Sequence, residues 1–470
     1  MNNGVNGGAM VSRLVDYLDA SACPAEPPPY AAMSEETRAL HDAIDRHIRA
    51  SGRAYLHPES PTVQLDMLGS AEVALWQEGK AAFLFMGEGA WSELPPLYAR
   101  YGTAETRDLL LRMRELEQAR AVVLADCGMQ ATALVIDALM QAGSHAVLMR
   151  QVYNKTRSYL EHVSKKVGGA VTVVDDGDDA ALDAAIRPET VLVLCETFTN
   201  PLMRAQDPEK LGALVRAAKA RAKNLRLVID STIASPWGMK RPLLEFPGVS
   251  AVVASGTKAL AGQDRDLWGY LATNDVDLGN SVMDLVAMRG GILDWRRAAA
   301  ISAGLDAAKS AHARRSHSAA VVAAFLASHP RVERVFHPSL ADHPDAAIVK
   351  AHYARTGSIV SLRVRDADEN ATRHLADVLA MTVVLRYATS FDGLATKVNH
   401  HKTVSEYFTP PDRLARDGFD RLIRLGIGVE DPHDLCAALN WMLHHGSAVT
   451  AEAIASWQNN RRRELGLDDE

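Results

Sequence analysis

Between residues 104 and 255, short apolar runs rich in β-branched residues alternate with segments of helical periodicity. One helical pattern covers 106–118, and another, over 207–222, begins with Asp-Pro, a helix-start signal. Six runs are predicted to be strands, over 121–126, 146–150, 171–175, 191–196, 225–230 and 252–255. Such alternation is typical of a mostly parallel sheet covered by helices. The sequence therefore predicts an α/β fold for this region.

The flanking regions have different patterns. Residues 1–95 contain Pro/Gly-rich segments and a helical pattern over 35–50, which predicts an N-terminal extension and arm. The α/β domain is predicted over 96–295. Ala-rich helices and strand patterns at 357–364 and 422–428 predict a smaller C-terminal α+β domain over 296–448. Residues 449–470 are predicted to be a C-terminal helical extension, whose basic run at 461–463 is either a solvated face or a subunit contact.

Composition excludes several classes of partner. The formal charge of the 470-residue chain is −7, which offers no broad attraction to nucleic acid or to anionic membrane surfaces. The four cysteines lack metal-ligand spacing, so no metal site is predicted. No apolar run approaches the roughly 18 residues of a membrane span, and the first residues do not resemble a signal peptide. We therefore expect a cytoplasmic protein.

Two of the predicted strands end in residues suited to chemistry. Asp230 closes one run, and Ser255-Gly-Thr-Lys258 closes the next. Ligands bind at the carboxyl ends of strands in open α/β sheets. A lysine at such a cleft can bond covalently to the aldehyde of pyridoxal phosphate (PLP), and an aspartate can keep the ring nitrogen protonated. The alternatives are an exposed lysine on a turn and an aspartate that caps a helix.

Three other strand ends carry features that complement this pair. Cys127-Gly128-Met129 precedes an Ala/Leu-rich helix, whose first amides can bind a phosphate dianion. Tyr153 follows a second strand, where it either stacks on a pyridine ring or packs in the core. The segment Glu196-Thr-Phe-Thr-Asn200-Pro201 places a polar amide in a turn after a third. We expect these ends to converge on one cleft.

Four blocks resemble a known family in order and approximate spacing. They are residues 196–201, 228–231, 255–258 and 424–431, the last reading Arg-Leu-Gly-Ile-Gly-Val-Glu-Asp. Together they are similar to the Cys/Met-metabolism PLP-dependent enzymes of fold type I, which include cystathionine γ-lyase, cystathionine γ-synthase, cystathionine β-lyase and methionine γ-lyase. The resemblance runs from about residue 98 to 442. It implies a PLP enzyme with the fold type I architecture.

The resemblance also implies roles for individual residues. It makes Lys258 and Tyr153 catalytic, with Lys258 as the covalent anchor of PLP, Tyr153 stacked on its ring and Asp230 at its ring nitrogen. Arg424 is implied to bind the substrate carboxylate, unless it forms a surface ion pair, and Asn200 the phenolic oxygen, unless it is only a turn residue. The implied phosphate-binding residues are Ser255, Thr257, Gly128 and Met129.

A further implication concerns assembly. Tyr98-Ala-Arg100 resembles a Tyr-x-Arg pair that binds the PLP phosphate of a neighbouring subunit. The resemblance thus implies a homo-oligomer with shared active sites, a tetramer built as a dimer of dimers.

The loop Ala388-Thr-Ser-Phe-Asp-Gly393 aligns with the family's Ser-Leu-Gly-Gly loop beside the substrate side chain. Thr389 precedes Ser390 at a position where members of the family carry Glu, Tyr or Val, according to the reaction that each catalyses.

His400 or His401 either protonates a leaving group or lies in a surface loop. The implied activity is γ-elimination or γ-replacement on a small amino acid of the cystathionine, methionine, O-acyl-homoserine or canavanine type. A β-lyase and a PLP-binding protein without turnover are the alternatives.

Overall fold

The computed structural model describes residues 30–51, 69–81, 97–261, 264–407 and 409–467. The chain divides into two compact units, residues 1–73 with 97–99 and residues 74–96 with 100–470. In the first unit, helix α1 (Glu35–Ser51) confirms the helix predicted over 35–50. The Tyr30 hydroxyl donates to the Arg38 carbonyl at 2.8 Å and to Asp42 Oδ1 at 2.9 Å, which fixes a short turn before α1.

The second unit contains a seven-stranded sheet in the order β1-β7-β6-β5-β4-β2-β3. Adjacent pairs among β2 to β6 are parallel, and β7 runs antiparallel between β1 and β6. All six predicted strands are confirmed, whereas β7 has no counterpart in the prediction. The strands are β1 (Ala121–Ala125), β2 (His145–Met149), β3 (Ala170–Val174), β4 (Thr190–Glu196), β5 (Arg226–Asp230), β6 (Val249–Ser255) and β7 (Gly269–Thr273).

Helices flank this sheet, and their starts follow local capping chemistry. Thr103 and Thr106 form a reciprocal capping box, and Asp207 Oδ1 accepts the amides of residues 209 and 210, as its Asp-Pro signal predicts. These helices are α3 (Ala104–Glu117), α4 (Gly128–Leu139), α5 (Asn154–Lys166), α6 (Asp179–Ala185), α7 (Pro208–Ala218), α8 (Ser235–Gly238), α9 (Val276–Arg289) and α10 (Trp295–Ser328). Helix α2 (Ser70–Ala81) has its first four residues in the first unit and the rest in the second.

A smaller, mostly antiparallel sheet follows, in the order β10-β11-β12-β9-β8. Its strands are β8 (Val332–Phe336), β9 (Ile359–Val364), β10 (Arg386–Tyr387), β11 (Lys397–His400) and β12 (Ile423–Gly426). Only β9 and β12 were predicted. The accompanying helices are α11 (Ala346–His352), α12 (Glu369–Met381), α13 (His401–Ser405), α14 (Pro411–Asp417), α15 (Pro432–His445) and α16 (Ala451–Glu464).

Each sheet has its own hydrophobic core. Val193, Ile229 and Val252 lie in the core of the seven-stranded sheet, and Val360 and Leu439 lie in that of the smaller one. A mostly parallel sheet with covering helices and a smaller α+β part is the fold class predicted from the sequence, so that prediction is confirmed. The domain limits stay predictions. None of the helices in the described ranges is long and apolar enough to cross a membrane.

Candidate active site

The carboxyl ends of β4, β5 and β6 open into a cleft of about 470 Å³, a size typical of small-molecule sites. The loop that follows β10 in the smaller sheet forms its opposite wall. The cleft brings together most of the residues singled out in the sequence. Those that line it are Gly128, Met129, Tyr153, Asn200, Asp230, Ser255, Thr257, Lys258, Thr389, Ser390 and Arg424.

At one end of the cleft, α4 begins against the end of β6. Gly128 is the first residue of α4, and a Cβ there would overlap the Ser255 side chain, so this approach requires glycine. The N-cap residue Cys127 makes no side-chain hydrogen bond to the first turn. Thr257 Oγ1 is held by Trp268, whose amide donates to it at 3.1 Å. The Thr257 hydroxyl also lies 3.3 Å from the Trp268 carbonyl, to which it donates. The start of α4, Ser255 and Thr257 line the same cleft, and a helix start of this kind suits an anion.

Lys258 lies deeper in the cleft and is only partly exposed. Its Nζ donates a hydrogen bond to Ser390 Oγ and lies 5.1 Å from the centre of the Phe391 ring. Burial lowers the pKa of Lys258, and the nearby Asp392 carboxylate opposes that shift. A lowered pKa increases the fraction of neutral amine, the form that attacks an aldehyde.

Asp230 and Glu196 are paired neighbours on β5 and β4, so their side chains occupy adjacent strand ends. Asp230 Oδ1 accepts the Thr232 amide at 2.8 Å, and Glu196 Oε1 accepts the Tyr153 amide at 2.6 Å. Burial and the Asp230 carboxylate raise the pKa of Glu196 well above its ordinary value, and burial raises the pKa of Asp230. The pair is thus adapted to hold a proton or to face a cation.

Tyr153 is the N-cap of α5, and 46% of its surface is exposed at the cleft. Its exposure contradicts the alternative of core packing. Because Glu196 holds the Tyr153 amide, the position of this side chain depends on a carboxylate from the next strand.

Arg424 projects from β12 and is 2% exposed, so a surface ion pair is the wrong interpretation. Its Nη1 donates to Asn200 Oδ1 at 3.3 Å, and its Nη2 donates to the carbonyls of Thr389 (3.0 Å) and Ser390 (3.4 Å). Burial lowers its pKa to about 10, which leaves it cationic at neutral pH. Its Nε is buried without a hydrogen-bond partner in the described part of the chain. A buried donor of this kind suits a guanidinium that binds an anionic ligand.

Other residues differ from expectation. Arg100 lines a separate cavity of about 60 Å³ with residues of α3, β1 and α9, and Tyr98 belongs to the other compact unit. Their proposed action on a neighbouring subunit stays a prediction.

His400 and His401 are buried outside the cleft lining, so neither lies in a surface loop. His400 is held by Thr403 Oγ1 at 2.7 Å and by the Asp420 carbonyl at 2.8 Å.

The sequence prediction missed several residues that line the cleft. Asn154 donates to the Ser405 carbonyl at 2.5 Å and thereby joins the start of α5 to the end of α13. The adjacency of residues 154–156 to Tyr153 was the available signal. The additional lining residues include Asn154, Lys155, Thr156, Leu267, Phe391, Val404 and Ser405.

No group of three or more His, Cys, Asp or Glu side chains within the described ranges is arranged to hold a metal ion. The cleft instead offers an amine, a strand-end carboxylate, a helix-start anion cradle and a buried guanidinium. This is the donor set that suits an aldehyde cofactor with a protonated ring nitrogen and a phosphate, together with an amino-acid carboxylate. Fold and cleft define the class of fold type I PLP-dependent enzymes.

Comparison with known proteins identifies the family. Residues 82–444 match the family described as Cys/Met metabolism PLP-dependent enzyme. The chain therefore belongs to that family, and its cofactor is pyridoxal phosphate.

Among curated relatives, cystathionine gamma-synthase 1 of tobacco (Nicotiana tabacum) is 32% identical over 342 residues, covering 72% of this chain and 61% of its own length. The chain thus spans less than two thirds of that chloroplastic protein. Cystathionine gamma-synthase of Mycobacterium tuberculosis is 30% identical over 346 residues, 74% of this chain and 86% of the relative.

A solved structure is similar in fold. The crystal structure of cystathionine gamma-lyase from Lactobacillus plantarum, complexed with L-serine, superimposes with a TM-score of 0.68 at 27% identity. The match covers 76% of this chain and 89% of the other. Synthases and lyases are therefore both among the similar proteins.

Proposed function

We propose that this enzyme catalyses γ-elimination or γ-replacement on an amino acid whose side chain carries a sulfur- or oxygen-linked leaving group. One observation carries the proposal: Lys258 and Arg424 contact the same residue, Ser390, through its hydroxyl and its carbonyl. An α-carboxylate held by Arg424 would place the substrate Cα close to the Lys258 amine. A PLP-binding protein without turnover has no need of that guanidinium.

PLP, when bound, supplies an electron sink for the charge that develops at the substrate. Lys258 would anchor the cofactor and then move protons at Cα and Cβ. Asp230 would keep the ring nitrogen protonated, and Tyr153 would stack on the ring. Asn200 would contact the phenolic oxygen. The phosphate would be held by Ser255, Thr257 and the amides of Gly128 and Met129.

The distal part of the cleft favours a leaving group that is not cationic. Thr389 is small and uncharged, so it leaves room for a long side chain but supplies no carboxylate for a distal ammonium. Lys155 adds a cation to the lining. The acidic residues of the described lining are Glu196 and Asp230, both at the inner strand ends. These features support an O-acyl-homoserine with an acidic acyl group over cystathionine.

The test is mass spectrometry of the products formed from cystathionine, methionine, canavanine and O-acyl-homoserines. We expect 2-oxobutanoate, homoserine or a γ-substituted amino acid. The variant Thr389→Glu should favour cystathionine by roughly tenfold in kcat/KM, since a single buried contact alters specificity by about 1–3 kcal/mol. Pyruvate from a β-substituted substrate as the dominant product, without any γ-product, would replace this proposal with the β-lyase alternative.

The proposal extends to assembly and location. We propose a cytoplasmic homotetramer, a dimer of dimers in which Tyr98 and Arg100 bind the PLP phosphate of the neighbouring subunit. The variant Arg100→Ala should then lose cofactor affinity without loss of folding. Mixed oligomers of Arg100→Ala and Lys258→Ala chains should regain activity, because one site of each hybrid pair has both groups. An active monomer by light scattering would exclude shared sites.

A further inference from the structure

Asp392 has an unusual backbone conformation in the loop that forms the wall of the cleft opposite the large sheet. Its φ is +61°, in the left-handed region that glycine adopts readily and other residues rarely. The Ser-Leu-Gly-Gly pattern that this loop resembles has glycine at that position. A residue held in such a conformation persists only where its surroundings determine it. The contacts of Asp392 show what holds it.

The side chain of Asp392 is 3% exposed and bonded on two sides. Ser358 Oγ donates to Oδ1, and the Nε of Arg315, which is fully buried, lies 3.5 Å from the same oxygen. Lys397 Nζ donates to the Asp392 carbonyl at 2.6 Å, and Arg315 Nη1 donates to the Gly393 carbonyl at 3.1 Å. The loop is therefore held by charged groups of α10 and β11 and by the hydroxyl of Ser358, which lies just before β9.

Burying the charges of Arg315 and Asp392 costs free energy, so their position beside an active-site loop requires an explanation. A buried ion pair is often no more stabilising than apolar residues of the same volume, because both charges lose hydration. Arg315 Nη2 is buried without a hydrogen-bond partner among the described residues, and Arg315 Nε has the Asp392 carboxylate only at ion-pair distance. A gain in stability is thus a poor explanation for the Arg315–Asp392 pair behind an active-site loop. The pair is better explained by its ability to hold the loop in one conformation.

The residues just before Asp392 make the functional contacts. The carbonyls of Thr389 and Ser390 accept hydrogen bonds from Arg424, and Ser390 Oγ accepts the bond from Lys258. A change in the path of residues 389–391 would therefore turn the Arg424 guanidinium. Asp392 itself does not line the cleft. It therefore acts on a substrate through its neighbours and through its charge, which opposes the lowering of the Lys258 pKa.

We propose that Asp392 is a positioning residue, held by Arg315, Ser358 and Lys397, that fixes the loop carbonyls orienting Arg424 toward the carboxylate of the amino-acid substrate. The inference rests on the proposed role of Arg424 but not on γ-chemistry. It predicts that loss of the Asp392 contacts weakens recognition of carboxylates more than recognition of amines.

The experiment follows the visible absorption of the holoenzyme during titration with two unreactive amines. L-Alanine has a carboxylate and methylamine has none, and neither has a γ leaving group. For Asp392→Asn, we expect the ratio of the L-alanine Kd to the methylamine Kd to rise by roughly tenfold, equivalent to about 1.4 kcal/mol. The ratio is the measure because loss of the Asp392 charge near Lys258 affects both amines alike. The exposed Asp342→Asn serves as the matched control, with both values at wild type.

Asp392→Asn removes the buried partner of Arg315 and can therefore fail to fold. Two milder variants keep the test decisive in that case. Ser358→Ala removes one contact of Asp392, and Lys397→Met removes one contact of Asp392 together with the ion pair of Lys397 with Asp264. Each should raise the ratio of the L-alanine Kd to the methylamine Kd by roughly threefold, about half of the free-energy change. Wild-type values for both, or equal weakening of the two ligands, would overturn the proposal. A shift in melting temperature alone would assign Asp392 a purely structural role. Failure of γ-product formation would leave these titrations interpretable, so the two proposals are tested separately.

Discussion

The two walls of the cleft are built differently. On one wall, Glu196, Asp230 and Ser255 are the last residues of parallel strands, so the sheet backbone fixes their positions. On the other wall, Thr389 and Ser390 lie in a loop after a two-residue strand, and side-chain contacts hold that loop. On the first wall, hydrogen bonds such as that from the Thr232 amide to Asp230 orient side chains whose backbone the sheet already positions. The second wall depends on its side-chain contacts.

This difference suggests a division of labour. The cofactor is the same in every reaction of the family, and the residues proposed to bind it lie mainly on the wall whose positions the sheet backbone fixes. Substrate side chains differ, and the loop that faces them can change without disturbing the sheet. Substitutions in the two walls should consequently produce different losses.

The largest loss is expected on the sheet wall. Lys258→Ala should abolish covalent attachment of the cofactor and lower turnover by roughly four orders of magnitude, because the group that binds the aldehyde and moves the protons is removed. Borohydride reduction followed by peptide mass spectrometry measures the attachment. The exposed Lys210→Ala is the control and should retain it. A trapped peptide centred on another lysine would contradict the assignment.

Asp230→Ala tests the same wall without removing the anchor. We expect the protein to keep part of its cofactor but to lose about 10²–10³ in kcat, as for the loss of one preorganised electrostatic contact, since the ring nitrogen would no longer stay protonated. Absorption spectra give the cofactor content, and single-turnover kinetics give the rate. Near wild-type turnover would show that Asp230 does not have this role.

Arg424→Lys tests the other wall. Lysine keeps the charge but loses the planar fork, so the bonds to the loop carbonyls and to a carboxylate cannot form together. We expect KM to rise by roughly 30-fold, about 2 kcal/mol, with a smaller change in kcat. Steady-state kinetics across the substrate panel provide the measurement. A fall in kcat at unchanged KM would place Arg424 in the chemical step instead.

Two buried groups, Glu117 beside the large sheet and His337 beside the smaller one, should give opposite contributions to the pH dependence of stability. Burial raises the pKa of Glu117, bonded to Tyr270 of β7, to about 7, so native protein keeps a proton that unfolded chain releases near pH 4.5. This contribution to stability is lost as pH rises from about 4.5 to 7. Burial lowers the pKa of His337, just after β8, to about 3, so its contribution is lost as pH falls from 6.5 to 3.

Urea unfolding between pH 4 and 7.5 measures both effects, each worth up to roughly 3 kcal/mol. Glu117→Gln should reduce the loss on the alkaline side, and His337→Gln should reduce the loss on the acidic side, each by the share of the substituted group. Parallel pH profiles for wild type and both variants would show that neither group titrates differently in the native protein.

The sequence predicted the sheet wall more completely than the loop wall. Runs such as Val191–Glu196 are continuous and apolar because both faces of the strand are buried, so their ends mark the cleft. The strand Gly269–Thr273 was missed, since a short run that begins with glycine gives little signal. The ties of Asp392 to Ser358 and Arg315 join residues 34 and 77 positions apart, and no periodicity reports such contacts.

The long helix α10 has a mechanical consequence for the molecule. Its 34 residues span about 51 Å as one continuous helix. It packs against α3 beside the large sheet and against α15, β8 and β9 of the smaller one. Because one continuous helix packs against elements of both sheets, the two walls cannot separate far unless that helix bends. Adjustment to substrates of different length should then come from local movement at the cleft mouth rather than from swinging of whole domains.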